Sequence, residues 1–336
     1  MVVEDKFNSS ARGKRFLPFH CKYEREWRGE FTFIQAADTQ FGMQESYIEK
    51  KENCGWQQEI AWSEELVHQV NMMSPKPRFL VICGDLLNAW PETEAQVRNK
   101  QEKDFKIVFQ KLQIPCVCVC GNHDVGNQPS MESVSRYRSS FGDDFFSFWC
   151  GGVYFLVINS QYYEDSTQVP NLAAEQELWL EQQLKKIKKM RPTHVVVFQH
   201  IPFFLKNPNE EKEYFNFSPT LRLKMLNKLY DAGVRHVFTG HYHRNAGGMF
   251  KDMQQVVTSA VGAQLGSDQQ GYRVVNVTKL GLNHEYRTIN TVVTIPPVIA
   301  MDLLRNVFGS FGKSNGRGDD KPPVFQLFSI RSLKAA

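Results

Sequence analysis

Several apolar runs in this chain end in side chains that bind divalent cations. Asp38 closes the run 31–37, Asp85 stands in Gly84-Asp85, Asn122 opens Asn122-His123-Asp124 after Gly121, His200 follows Gln199, and His241 and His243 lie in Gly240-His241-Tyr242-His243. Carboxylate, amide and imidazole make a mixed oxygen and nitrogen ligand set, which suits Mn²⁺, Fe²⁺, Zn²⁺ or Mg²⁺ and needs no thiolate. Two such ions about 3.5–4 Å apart clamp phosphoryl oxygens and turn a bridging water into a nucleophile for in-line attack. A carboxylate between them relieves their mutual repulsion, and Asp85 is expected in that place. His123 is expected to protonate the departing alkoxide or to stabilise phosphoryl charge, with the adjacent Asp124 fixing its tautomer. Arg244, directly after His243, and Asn88 are candidate phosphate contacts.

Scattered residues meet only if the elements before them are aligned. The runs 31–34, 79–83, 117–120, 153–158, 195–198 and 234–238 are rich in Val, Ile and Phe and read as strands buried on both faces. Between them, Phe105, Val108, Phe109 and Leu112 repeat at helical spacing, as do Leu180, Leu184 and Ile187. Ser218-Pro219 opens a further helix that Gly233 stops. Alternating strands and helices define an α/β protein, in which ligand sites lie beyond the carboxyl ends of the strands. After Gly240 the pieces 255–259, 272–277 and 284–286 read as short strands, expected to form a second sheet.

Composition sets the outer limits. The 336 residues carry 40 Lys and Arg against 36 Asp and Glu, and a net charge of +4 gives no reason to expect a nucleic-acid or membrane partner. No stretch approaches the about 20 apolar residues of a membrane helix, and the opening residues lack the order of a secretory signal. Cys116, Cys118 and Cys120 alternate along one strand and read as reduced, buried small hydrophobes. A cytoplasmic monomer is therefore expected. No cysteine has an arginine six residues later, which argues against thiol-based phosphatase chemistry, and Gly312-Lys313-Ser314 lacks the earlier glycine of a phosphate-binding loop.

The ordered set Asp38, Gly84-Asp85, Gly121-Asn122-His123-Asp124, His200 and Gly240-His241-Tyr242-His243 resembles the calcineurin-like metallophosphoesterase superfamily. The wider text around Asp38, 142–149, Gln199-His200-Ile201-Pro202 and 240–248 is similar to its cytoplasmic serine/threonine phosphatase members. The resemblance implies a four-layer sandwich, two mixed sheets packed face to face and flanked by helices, spanning residues 27–290. Residues 1–26 would then be an N-terminal extension and 291–336 a divergent tail. On the family pattern Asp38 and His243 hold one metal, Asn122, His200 and His241 the other, Asp85 bridges them, and the bridging hydroxide attacks a phosphoserine or phosphothreonine of a protein substrate.

One position departs from the pattern. The family has Asp-x-His at its first motif, where this chain has Asp38-Thr39-Gln40. An amide oxygen is a poorer ligand than an imidazole. Three outcomes follow: Mg²⁺ or Mn²⁺ at millimolar supply, a water in place of the lost nitrogen, or one working metal with little catalysis. A nucleotide phosphodiesterase and a phosphoprotein-binding scaffold are the competing functions.

Overall fold

The structure, a computed structural model, describes residues 11–289. The first ten residues and the tail expected from 291 onward lie outside them. The strands are β1 (Ala11–Arg12), β2 (Arg15–Phe16), β3 (Phe31–Ala36), β4 (Leu80–Cys83), β5 (Cys116–Val119), β6 (Phe146–Cys150), β7 (Val153–Val157), β8 (His194–Phe198), β9 (His236–Thr239), β10 (Ala246–Phe250), β11 (Met253–Val257), β12 (Gly271–Val277) and β13 (Leu282–Thr288). They form one sheet in the order β1-β2-β6-β7-β8-β9-β11-β10 and another in the order β13-β12-β3-β4-β5. Both sheets mix parallel and antiparallel pairs.

Side-chain alternation explains the layering. Phe33, Val81, Cys83, Val117 and Val119 point inward and meet Phe155, Val196, Phe198 and Phe238 of the other sheet. Phe33 stacks on Phe79 at 5.0 Å and takes Phe155, Phe198 and Phe238 edge-on. Such pairs add about 0.5–1.5 kcal/mol each beyond area burial. The intervening residues Ile34, Leu80, Ile82, Cys116, Cys118 and Cys120 face outward under helices Gln57–Met72, Ala95–Phe109 and Met131–Phe141. Helices Pro170–Met190 and Pro219–Tyr230 cover the far side of the larger sheet through Leu180, Leu184, Ile187, Met225, Leu226 and Leu229. The result is four layers, helix, sheet, sheet, helix. The three alternating cysteines are free and buried, as their spacing predicts.

The strands after Gly240 do not make a sheet of their own. β11 and β10 extend the larger sheet beyond β9, whereas β12 crosses to pair antiparallel with β3 and carries β13 outside it. Periodicity reports that a strand is buried, not which sheet buries it. β6 pairs antiparallel with β7 through Gly151-Gly152. Within the stretch expected as an N-terminal extension, β1 and β2 lengthen the larger sheet beside β6. Among the described residues no helix is long and apolar enough to cross a membrane.

Three histidines gather at the start of β8, the start of β9 and on β13. Burial, with His194 and His284 nearby, pulls the His236 imidazole down to about 4, and its Nδ1 is buried without a partner. Burial and Arg273 bring His284 to about 4 as well. An unfolded histidine titrates near 6.5, so the unfolded chain takes up protons first as pH falls. Their contribution to stability is full above about pH 6.5 and is lost progressively down to about 4. Urea unfolding in chelator at pH 7.5 and 5 should show this loss, and His236→Phe should flatten it; an equal slope in the variant would exclude His236 as a source.

Candidate metal centre

β3, β4 and β5 are parallel neighbours, as are β8 and β9, so their carboxyl ends deliver Asp38, Gln40, Asp85, Asn122, His123, His200, His241 and His243 to one edge of the sandwich. The backbone there is held away from its preferred regions. Asp38 (φ 54°), Gln40 (35°), Asp85 (51°), His241 (69°) and His243 (51°) all have left-handed backbone, which costs about 1–3 kcal/mol per residue and collects where function requires it. Gly84 combines a φ of 88° with close approach, since a Cβ there would overlap the His200 imidazole; at Gly121 a Cβ would overlap the Asp85 carboxylate.

The side chains form two triads that share one carboxylate. Ligand atoms of Asp85, His200 and His241 lie within 4.8 Å of one another, and so do those of Asp38, Asp85 and His243. Asp85 Oδ2 is 3.3 Å from His200 Nε2, which is 3.1 Å from Asn122 Oδ1, and His243 Nε2 is 3.4 Å from Asp38 Oδ1. The Asp38 carboxylate also accepts the His241 backbone N–H at 3.0 Å.

Backbone carbonyls point each imidazole. His200 Nδ1 lies 2.8 Å from the Cys83 carbonyl, His243 Nδ1 2.6 Å from that of Ala263, and His241 Nε2 3.3 Å from that of Tyr214. With the proton assigned to the nitrogen at the carbonyl, the other nitrogen keeps a lone pair for a cation. Charge agrees with that purpose. Burial pulls His200 down, but Asp85 and Asp38 outweigh it and raise the imidazole to about 9. Burial likewise pushes Asp85 up, yet His200, His123 and His241 hold it below the usual carboxylate range. The carboxylates thus draw positive charge to His200, whereas burial and the neighbouring His200 pull the His241 imidazole down to about 3. Gln40 Oε1 is buried with no hydrogen-bond partner, an orphaned acceptor that fits a cation, while its Nε2 donates to Asn88 Oδ1 at 3.3 Å.

His123 stands above the triads. Its backbone N–H donates to Asp85 Oδ1 at 2.9 Å, its ring Nδ1 is 2.6 Å from the Asn88 carbonyl, and Trp90 stacks on the ring at 4.0 Å. Asp124 does not orient it, contrary to expectation. That carboxylate turns into the core, where it accepts the Gly121 and Leu86 N–H groups at 2.8 and 3.1 Å, and burial together with the Asp85 charge raises it to about 7. Adjacent residues at a helix start point in different directions, so sequence adjacency misassigned the partner. Arg244 is also displaced from its expected place: its Nε donates to the Leu265 carbonyl at 3.0 Å, its guanidinium lies over Tyr242, and it does not line the cavity.

The cavity over the centre has a volume of about 540 Å³, with Gln40, Asp85, Asn122, His123, His241 and His243 in its floor. Its walls include Met43, Tyr47, Asn88, Trp90, Tyr214 and Phe215. The aromatic wall residues escape motif reading because Trp90, Tyr214 and Phe215 sit on loops and Tyr47 on the short helical turn Gln44–Ile48. The one available signal is an aromatic pair, Tyr214-Phe215, in the polar stretch 209–216.

A fold and site of this kind define a phosphoesterase, and the chain belongs to the calcineurin-like phosphoesterase family, whose model matches residues 31–245. That family are hydrolases with a dinuclear metal site. The chain is 45% identical, over 86% of its length and 94% of the relative's, to the serine/threonine-protein phosphatase CPPED1 of Mus musculus. Identity to the Homo sapiens CPPED1 is 44%, over 83% of this chain and 90% of that one. A dimetal phosphatase from Danio rerio shares the fold at 14% identity, with a TM-score of 0.55 over 78% of this chain and 100% of the other.

Proposed function

We propose that this protein is a metal-dependent serine/threonine phosphatase that hydrolyses phosphomonoesters on proteins. The observation that carries the reading is the pair of buried triads sharing Asp85 beneath His123, and the named activity of the CPPED1 relatives supplies the substrate class. Asp38, Gln40 and His243 would hold one divalent cation and Asn122, His200 and His241 the other, with Asp85 common to both. The donors suit Mn²⁺, Fe²⁺, Zn²⁺ or Mg²⁺. When bound, the cations supply the positive charge that polarises a phosphoryl group and acidifies water.

The chain's own groups do the rest. Trp90 and the Asn88 carbonyl immobilise the His123 ring and leave its Nε2 for the cavity. Burial pulls that imidazole below its ordinary value, so it rests neutral. A phosphoryl dianion beside Nε2 favours the imidazolium, which then gives its proton to the leaving alkoxide of serine or threonine. Among the described residues the cavity lining includes no lysine or arginine, and His123 is the lining group placed to meet phosphate charge beside the centre. Purified protein with Mn²⁺ should cleave a phosphoserine peptide and an aryl monoester faster than the aryl bis-ester; faster cleavage of the bis-ester would assign the site to diesters.

Gln40 sets how firmly the first cation is held. Histidine tolerates left-handed backbone better than most residues, so Gln40→His should fold and add an imidazole ligand. Outer partners alone alter metal affinity by about 10–100-fold, and a gain of at least about tenfold is expected for Mn²⁺ at the Asp38 and His243 side. Equilibrium dialysis reads it, and unchanged affinity would mean that Gln40 Oε1 already serves as a full ligand or that no cation sits there.

A further inference from the structure

Tyr214 lies on the loop between β8 and helix Pro219–Tyr230, outside every motif. That loop is built firmly. The Glu210 carboxylate accepts the N–H groups of Leu205, Lys206 and Asn207 and the Asn216 amide, and buried Arg222 donates to the carbonyls of Pro208 at 3.0 Å and Phe217 at 2.7 Å. Although Tyr214 is 60% exposed, both of its polar groups turn toward the centre. Its hydroxyl accepts from Asn122 Nδ2 at 3.3 Å. Its backbone carbonyl is 3.3 Å from His241 Nε2, and its ring packs on that imidazole at 5.2 Å.

Asparagine and histidine are ambiguous ligands. An amide can bind a cation only through Oδ1, and an imidazole only through its unprotonated nitrogen. The hydroxyl, accepting from Nδ2, holds the amide with Oδ1 facing His200. A carbonyl placed against Nε2 selects the tautomer that leaves Nδ1 free. One residue thereby orients two members of the Asp85, His200 and His241 side, and no contact of Tyr214 reaches Asp38 or His243. We propose that Tyr214 is a positioning residue that sets cation affinity at that half of the centre alone. The inference rests on the ligand roles proposed above.

Tyr214→Phe removes the hydroxyl and keeps the ring and carbonyl. Mn²⁺ titration by calorimetry, with bound metal counted after dialysis, should give two ions in the wild type. In the variant one dissociation constant should rise at least about tenfold, within the range for outer partners, while the other stays fixed. The melting temperature of the chelated protein should fall by no more than about 2–4 °C, the effect of a single hydrogen bond of about 1 kcal/mol. On an Asn122→Asp background, whose two oxygens are alike, the same substitution should cost much less. Unchanged constants in Tyr214→Phe, or both constants raised alike, would overturn the role of Tyr214. A wild type that binds no pair of Mn²⁺ ions would overturn the centre itself, a separate failure visible before any variant is made.

Discussion

Asp85→Asn should lower Mn²⁺-dependent hydrolysis of a phosphoserine peptide by more than about 100-fold, because Asp85 is the one carboxylate common to both triads. Loss of an outer partner already costs about 10–100-fold in affinity or activity, and this change reaches the shared ligand. Asparagine keeps the shape and can still accept the His123 N–H that Asp85 Oδ1 now accepts, so the fold should survive. What disappears is the negative charge that would be shared by the two cation sites, together with the partner that helps hold His200 in its raised state. Turnover and Mn²⁺ content measured on the same sample check this, with both expected to fall. Retention of two ions and full turnover would refute the shared-ligand role.

Arg98→Met should destabilise the protein by about 3 kcal/mol or more, because it strands three backbone carbonyls and each buried acceptor left unpaired costs about 1–3 kcal/mol. Arg98 is 1% exposed and Asp124 0%, so solvent screening does not discount the figure. Its guanidinium donates to the carbonyls of Ala89 and His123 at 2.7 Å and to that of Asp124 at 3.0 Å, with the Asp124 carboxylate at 3.8 Å. Asp124 in turn ties down the backbone of Leu86 and Gly121. The pair therefore fixes the loops that carry Asp85, Asn88, Asn122 and His123. Arg98→Lys should recover only part of the loss, since an ammonium cannot span these acceptors as a planar fork does. Equilibrium unfolding in chelator measures the first effect. Turnover at 20 °C, below the transition, should fall as well, whereas a loss under about 1 kcal/mol with unchanged turnover would remove Arg98 from this account.

The role given to Asp124 illustrates how far local reading reaches. Its placement beside His123 suggested a direct pair, but a short helix sends successive side chains in different directions. Asp124 acts through backbone and Arg98, and the His123 tautomer depends on the Asn88 carbonyl, 35 residues away. Arg244 fails for a similar reason: it follows a cavity residue, yet its own side chain turns to Leu265. Both errors concern where a side chain points. The elements themselves were more legible. The expected runs 79–83, 117–120, 153–158 and 195–198 lie within a residue of β4, β5, β7 and β8, because strands buried on both faces read as continuous apolar segments.

The amino-acid order alone determined the cation-binding residue types, the strands that end in them and the α/β layering, since each is written in local composition and period. Only the tertiary structure decided that β12 joins β3 rather than β11, and that Arg98, Trp90 and Tyr214 support the centre. Those facts are contacts between segments far apart in the chain. Their energies depend on distance and orientation after packing, and neighbouring letters carry no record of either.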